Sequence, residues 1–535
     1  MKIFRSISSV LVALIAFSFA SCSEEKVVPL STHSIIPLPA SVLDSEGRFA
    51  LNSNTKIVAI GDQSQMVLIA ENFKSSVYHL TGLNLGSADQ DQEDAIVFEL
   101  NPSFGQGEEA YKIDIKKDKI RITASKPAGL FYAAQTFTQL IPTDGEELKG
   151  TNNRFIIPTG TIEDKPEYAY RGMMLDVARH FFPVEDVKHL IDLIALYKIN
   201  FLHLHLSDDQ GWRIEIKSWP LLTTIGGSTQ VGGGEGGFYT QEDYKEIVKY
   251  AQDKFITIVP EIDMPGHTNS ALASYGQLNP GIIVPEKGAL PYDRTNIGVD
   301  GMATPLYTGT EVGFSTLDTK KPITYQFVED VIRELAEITP GPFIHIGGDE
   351  SHVTAMEDYI PFIERAQDLV TKYGKRTMGW DEVAHAKLLP SSVAQFWAVE
   401  ENAVMAIEQG AQVLISPSKK AYLDMKYDTT TQIGYTWAAL IELDDAYNWD
   451  PTELNENIKR ENIIGVEAPL WAETLRSRAD MEFLTFPRLP AIAEIAWTSK
   501  DLRSWDSFST RIKKHGRRWD AMGLNYYKSP KVIWD

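Results

Sequence analysis

Phe343-Ile344-His345-Ile346-Gly347-Gly348-Asp349-Glu350 carries an apolar strand into two glycines and then into two adjacent carboxylates. Ile344 and Ile346 alternate with Phe343 and His345, the two-residue period of a strand. Gly347 and Gly348 have no Cβ and let a ligand approach the backbone closely where the strand ends. Two like charges this near each other cannot both ionise freely. Crowding is therefore expected to raise one carboxyl pKa and keep a proton available near neutral pH, as a general acid requires. Taken alone, the segment reads equally as a strand end with a solvated acidic turn, so the rest of the chain has to decide.

Elements able to position such a pair follow from residue 166 onward, where strand and helix patterns alternate. Candidate strands are 171–175, 201–206, 256–260, 343–346, 376–379, 393–397, 413–415 and 463–466. Eight strands alternating with helices predict a (β/α)8 TIM barrel over 166–500. The first crossover helix has Pro183 at its start, Glu185 and Asp186 in its first turn, and Val187, Leu190, Ile191 and Ile194 on one face. The links after strands 5 and 6 are short, which predicts a stunted or missing helix there. The glycine-rich segment 226–237 lacks the lysine and spacing of a phosphate loop and reads as a mobile rim.

Chemistry in such a barrel sits at the carboxyl ends of the strands. Strand 1 carries Arg171 at its start and leads to Asp176, Arg179 and His180; strand 2 ends in Asp208-Asp209-Gln210-Gly211-Trp212. Strand 3 ends in Glu261-Ile262-Asp263-Met264-Pro265-Gly266-His267, and strand 5 in Trp380-Asp381-Glu382. Trp397, Tyr422-Leu423-Asp424 and Trp471-Ala472-Glu473 follow strands 6, 7 and 8. Carboxylates, a histidine and tryptophans around one mouth suit a pyranose: hydroxyls want fixed donors and acceptors, and the apolar ring face wants an aromatic plane.

Ahead of the barrel, residues 34–165 mix strand and helix patterns in the manner of a small α+β domain. Its signatures are a strand at 56–60, a helix at 65–80, a strand at 95–98, a hairpin around 116–119 and a closing helix at 130–141. Residues 501–535 read as a C-terminal helical tail packed on the barrel. Net charge is −22, from Asp+Glu 73 against Lys+Arg 51, with no basic stripe, so nucleic acid is not an expected partner. Lys2 and Arg5 precede an apolar run too short to span a membrane, which reads as a signal peptide over 1–21. Cys22, the only cysteine, follows Phe19-Ala20-Ser21 as in the lipobox of bacterial lipoproteins. It is expected to be lipidated as the mature N-terminus, followed by a polar tether over 22–33, and no disulfide framework is available. The expected location is the outer membrane of a Gram-negative bacterium, surface-exposed, with a periplasm-facing orientation as the alternative and the lipid as the only membrane contact.

Tyr170-Arg171-Gly172-Met173-Met174-Leu175-Asp176-Val177-Ala178-Arg179-His180-Phe181, His203-Leu204-His205-Leu206-Ser207-Asp208-Asp209-Gln210-Gly211-Trp212-Arg213, the strand 3 motif and His345-Ile346-Gly347-Gly348-Asp349-Glu350 together resemble glycoside hydrolase family 20, the β-N-acetylhexosaminidases. The resemblance runs from about residue 35 to 500, small domain included. It implies an exo-acting retaining hydrolase of terminal β-linked GlcNAc or GalNAc in which the substrate's 2-acetamido oxygen is the nucleophile and no cofactor or metal takes part. It further implies Glu350 as acid and then base, and Asp349 as the partner of the acetamide N–H. Tyr422 would bond the acetamide oxygen, Trp380 and Trp397 would wall its methyl, and Trp471 would stack under the ring. Arg171, Asp424 and Glu473 would read the hydroxyls, while Asp208 and His267 would set the proton affinity of Glu350.

Two rival readings stay open at this level. A metal-dependent barrel hydrolase could use His203-x-His205, although these histidines are favoured as core residues bonded to backbone; activity in a strong chelator separates the cases. A non-catalytic surface glycan-binding lipoprotein would keep the tryptophans but has no need of adjacent carboxylates, and a chromogenic assay separates it. Trp437 and Trp497 read as packing residues.

Overall fold

The computed structural model of the chain describes residues 28–61, 63–142, 154–285 and 298–534. The leader, Cys22 and the start of the tether lie outside the described residues.

The small domain is one mixed sheet of β1 (Ser41–Leu51), β2 (Lys56–Ile60), β3 (Gly86–Ala88), β4 (Ala95–Leu100), β5 (Tyr111–Ile115), β6 (Lys119–Ala124) and β7 (Phe155–Asp164). Its order is β1-β7-β5-β6-β4-β2-β3. Helices Gln63–Thr81 and Pro127–Leu140 pack against it and each other. The β5–β6 hairpin buries every second residue, as its alternation demands. The long β1–β7 pair is absent from the sequence reading: β1 is mostly exposed and shifts register between Asp44 and Arg48, which erases its alternation.

The expected parallel barrel is closed by β8 (Tyr170–Asp176), β9 (Phe201–His205), β10 (Thr257–Glu261), β11 (Phe343–His345), β12 (Arg376–Trp380), β13 (Val393–Phe396), β14 (Gln412–Ile415) and β15 (Ile463–Leu470). Tyr170, Val259, Phe343, Met378, Val393 and Leu414 form a separate apolar cluster, with Tyr170 stacked on Phe201 at 4.0 Å. Several of these open their strands, so the apolar cluster fills the amino end of the barrel. Later strand positions place His203, His205, Glu261, His345, Gln395 and Glu467 in the interior, all inaccessible to solvent. The interior therefore changes from apolar to charged on the way to the mouth.

The first crossover helix, Val184–Leu196, begins after Pro183 as expected, and Gln241–Gln252 starts with a Thr240–Asp243 capping box. After β12 only a 3-10 turn forms (Asp381–His385), and after β13 a short helix (Glu400–Glu408), as the brief links require. Segment 226–237 is anchored at several points, with an exposed tip at 232–235. Buried Arg213 donates to five carbonyls, those of Val177, Ala178, Gly227, Thr229 and Gly237. Val231 N–H donates to Arg179 O, and Gly232 N–H to Thr308 O. A Cβ at Gly236 would lie 2.2 Å from Gly227 O, so this glycine serves close packing and not mobility. Helix Trp505–Met522 ties the tail to both domains: Arg511 pairs with Glu494 and bonds Ile35 O, and His515 bonds Ser34 O.

Candidate active site

β11 stops at His345, and the next residues turn sharply. Gly347 (φ 67°), Gly348 (φ 105°) and Glu350 (φ 45°) are left-handed, as is His267 (φ 55°) on the neighbouring strand end. A Cβ at Gly347 would fall 1.8 Å from Asp263 Oδ1, and Gly348 N–H donates to that same oxygen. The glycines thus admit the Asp263 carboxylate, not a ligand, and the turn presents Asp349 and Glu350 to the mouth. Non-glycine residues in this region cost of order 1–3 kcal/mol each, which surrounding packing must offset.

The two carboxyls titrate in opposite directions, and the order inverts the crowding argument. Burial, helped by Asp263 and Glu350, pushes Asp349 well above the usual range. Burial also raises Glu350, but the adjacent His267 outweighs it and leaves the carboxyl below its ordinary value. His267 Nε2 lies 3.6 Å from Glu350 Oε2 and 3.7 Å from Asp349 Oδ2, while its Nδ1 is 3.2 Å from Asp208 Oδ1. Burial opposes the charge on His267, yet Asp208, Asp263 and Asp349 together hold it protonated well beyond its usual range. The proton nearest Glu350 in the empty site therefore rests on His267, whose Nε2 has no hydrogen-bond partner among the described residues.

An aromatic wall lines one side. Trp380 is buried and donates its Nε1–H to Glu261 at 2.8 Å. Trp397 donates to Glu382 at 3.0 Å and lies parallel to Tyr422 (16°) with centroids 6.4 Å apart. Trp471 is 5.6 Å from Trp380 and 6.4 Å from Tyr422. Trp437 is not packed away: it is 57% exposed and stands edge-on to both Trp397 and Tyr422. Trp497 is buried, with Arg171 4.9 Å over its ring.

Arg171 needs correction. It occupies the amino end of β8, opposite the mouth, where it pairs with Glu109 of the small domain at 2.8 Å and donates to Lys198 O and Tyr168 O. Nothing bound at the mouth can reach it, so Arg171 fastens the two domains together. Arg179, three residues past the end of the same strand, is the cation of the site. Asp176 fixes its turn by accepting Ala178 N–H and Arg179 N–H. Its guanidinium sits 2.7 Å from Asp208, 3.6 Å from Asp176 and 4.7 Å over Trp471, with Nε and Nη1 lacking hydrogen-bond partners among the described residues. Reading position along the strand strictly would have preferred it. Asp263 and Glu382, strand-end residues to which the sequence assigned no role, also belong to the site, one under the glycine turn and one bracing Trp397. His203 and His205 face buried carboxylates instead of backbone carbonyls.

Asp208, His267, Trp380, Trp397, Tyr422, Asp424, Trp471 and Glu473 all converge on the mouth with Asp349 and Glu350. Buried oxygens of Asp349 (Oδ1), Asp424 (Oδ1) and Glu473 (Oε2) have no hydrogen-bond partner among the described residues. Burial and the nearby Glu473 raise Asp424 well above the usual range; burial lifts Glu473 to about 7 against the pull of Arg179. Three acceptors and the donors of Arg179, unmatched beside an aromatic plane, suit a ligand rich in O–H and N–H groups.

Comparison with known proteins agrees with this geometry. Residues 168–500 match the glycosyl hydrolase family 20 catalytic domain, and residues 32–165 match domain 2 of the same family. A β-N-acetylhexosaminidase of Cellulomonas fimi is 39% identical over 507 residues, covering 94% of this chain and 97% of that protein. The solved family 20 β-N-acetylhexosaminidase of Streptomyces coelicolor superposes with a TM-score of 0.87 at 41% identity, covering 95% of this chain and all of that one. A mutant Streptomyces plicatus β-hexosaminidase in complex with product GlcNAc superposes at 0.88 and 41% identity, over 95% of this chain and 99% of that one.

Proposed function

The chain belongs to glycosyl hydrolase family 20, and from that premise we propose how its residues act. The protein is an exo-acting β-N-acetylhexosaminidase that removes terminal non-reducing β-linked GlcNAc or GalNAc with retention. In this family the substrate's acetamide replaces the enzyme nucleophile. The acetamide oxygen bonds to C1 while the C1–O bond to the leaving group breaks. The proton held on His267 passes through Glu350 to the departing oxygen. Glu350, now ionised, takes a proton from water as the water attacks C1, and the oxazolinium ring reopens to the acetamide.

Asp349 Oδ1 accepts the acetamide N–H. Its unfavourable charge in the empty pocket becomes favourable as the ring nitrogen gains positive charge, so the interaction strengthens toward the transition state. Tyr422 bonds the acetamide oxygen, Trp380 and Trp397 enclose its methyl, and Trp471 lies under the pyranose. Arg179, Asp424 and Glu473 take the hydroxyls. The observation that carries these roles is the set of unmatched buried acceptors facing the Asp349–Glu350 pair.

The mechanism is tested with aryl β-glycosides differing only at C2. The 2-acetamido sugar should be hydrolysed and the 2-hydroxy sugar negligibly so, a thiazoline mimic of the oxazolinium should inhibit strongly, and a 2-fluoro glycoside should leave no adduct. Trapping a covalent sugar on any Asp or Glu would falsify the acetamide assignment.

Export with a lipid on Cys22 is the reading we favour for the N-terminus, supported by the basic-apolar leader and the single cysteine after Phe19-Ala20-Ser21. Cys22→Ser should release the protein from membranes or leave its precursor uncut; unchanged partitioning and processing would overturn it.

A further inference from the structure

Beneath the mouth, the barrel holds charged groups that no substrate atom reaches. His205, on β9, stands between two buried carboxylates: its Nδ1 is 2.6 Å from Glu261 Oε2 and its Nε2 is 2.8 Å from Asp208 Oδ2. A neutral imidazole has one N–H and can serve only one of them. Both carboxylates are also claimed by other donors. Glu261 accepts Trp380 Nε1–H at 2.8 Å, and Asp208 accepts Arg179 at 2.7 Å and Asp209 N–H at 2.6 Å. Two ionised acceptors, one on each ring nitrogen, require the imidazolium. His205 packs edge-to-face with Trp471, ring centroids 4.9 Å apart, and has no solvent exposure, so this cation is sealed from solvent.

Asp208 joins the buried cation to the reaction. Its Oδ2 is shared by His205 and Arg179, and its Oδ1 faces His267, which in turn faces Glu350. Charge therefore alternates along Glu261, His205, Asp208, His267 and Glu350.

We propose that His205 is a positioning residue for the hydrolysis: fixed between Glu261 and Asp208, its buried positive charge locks Asp208 against His267 and weakens proton binding by the His267–Glu350 pair.

The surrounding charges define the expected sign. Glu261, Asp208, Asp176 and Asp263 face His205, and together they keep it protonated although burial opposes the charge. His267 faces Asp208, Asp209, Asp263 and Asp349. Glu350 faces His267, His352, Arg179 and Asp349. Carboxylates dominate, so deleting one cation leaves the pair in a more negative field and its proton more tightly held.

This inference rests on Glu350 being the acid/base, and the experiment keeps the two apart. The basic limb of the kcat/KM–pH profile is measured for wild type, His205→Gln and Glu350→Gln. Glutamine can still donate to Asp208 but carries no charge, so the limb of His205→Gln should move upward by about one pH unit. A loss of activity with the limb unmoved would mean a structural role only and would overturn the proposal. If Glu350→Gln keeps wild-type activity, the acid/base reading falls and takes this inference with it. If Glu350→Gln is inactive while His205→Gln has a wild-type profile, only the inference falls. Should His205→Gln not fold, neutron diffraction on the wild-type enzyme at pH 7 decides. Deuterium on both ring nitrogens of His205 is expected, and deuterium on one alone overturns the proposal.

Discussion

Carboxylates of equal burial behave oppositely in two parts of this barrel. In the interior, Glu467 and Glu261 are raised by burial, yet the histidines between them outweigh burial and hold both below the usual range. At the mouth, Asp349 and Asp424 are equally hidden but stay high, each with an oxygen that has no donor among the described residues. Burial does not decide ionisation by itself; the supply of partners does. The interior supplies these carboxylates with cations of the chain itself, whereas at the mouth Asp349 and Asp424 lack the donors that an amino sugar carries.

The sharpest way to probe this contrast is to remove the one mouth carboxylate that moves a proton. Glu350→Gln should cost roughly 10²–10⁴-fold in kcat while still binding substrate. The loss should be smaller for aryl glycosides with very good leaving groups, which need little protonation. Comparable losses across a leaving-group series would argue against an acid role in bond cleavage.

Breaking the interior should damage stability instead. Glu467 accepts Tyr170 O–H at 2.7 Å and His203 at 2.9 Å and bonds Gln395 at 2.8 Å, with no exposure of any of them. Glu467→Gln removes one of the two carboxylates on buried His203 and leaves Glu261, 3.0 Å from its Nε2, as the remaining counter-charge, a change that costs up to about 3–5 kcal/mol, the range for a broken buried pair. Urea unfolding should register it as a lower midpoint, and an unchanged midpoint would show that the interior charges are not interdependent.

How much of this contrast was legible in the sequence depends on the reach of each interaction. The barrel, its stunted crossovers and most mouth residues follow from strand periodicity and the rule that chemistry sits at carboxyl ends. Arg171 misled because it lies in a strand that does lead to the site, although at the wrong end; Arg179 eight residues on was the better choice. The titration order of Asp349 and Glu350 could not be read locally, since Asp263 and His267 set it from another strand end. His203 meets Glu467 across 264 residues, so its carboxylate partner was out of sight and backbone was the natural guess. In the small domain, β1 carried too little alternation to be seen.

Asp208 lies on the border between the two regions. It is the charge that holds the proton on His267, so Asp208→Asn should lower that proton affinity and move the basic limb of kcat/KM downward, with a loss on the order of tenfold. The sign is opposite to that expected of His205→Gln. Equal directions for the two variants would mean that the alternating charges do not act as one line.

The smallest effect, and the one specific to an empty mouth, concerns stability against pH. Asp424 and Glu473 have folded pKa values raised above their unfolded ones, Glu473 to about 7. A raised acid stabilises the fold fully below its unfolded pKa, and that contribution is lost as pH rises through the folded value. Interior carboxylates, being depressed, withdraw their support only on acidification below about pH 4. Between about pH 4 and 7 the mouth carboxylates therefore lower stability as pH rises, in the same direction as the raised His203, His205 and His267 and against the lowered His33 and His515. The ligand-free enzyme should melt at a higher temperature at pH 5.5 than at pH 7.5. Asp424→Asn removes part of this penalty: Tm at pH 7.5 should rise by a few degrees at most, the pH 5.5–7.5 difference should shrink, and KM for the aryl 2-acetamido sugar should increase. A saturating thiazoline, whose hydroxyls supply the missing donors, should narrow the same difference in the wild type. If neither the substitution nor the inhibitor changes the pH dependence of Tm, the unmatched carboxylates are not what sets it, and the contrast between mouth and interior fails as an account of stability.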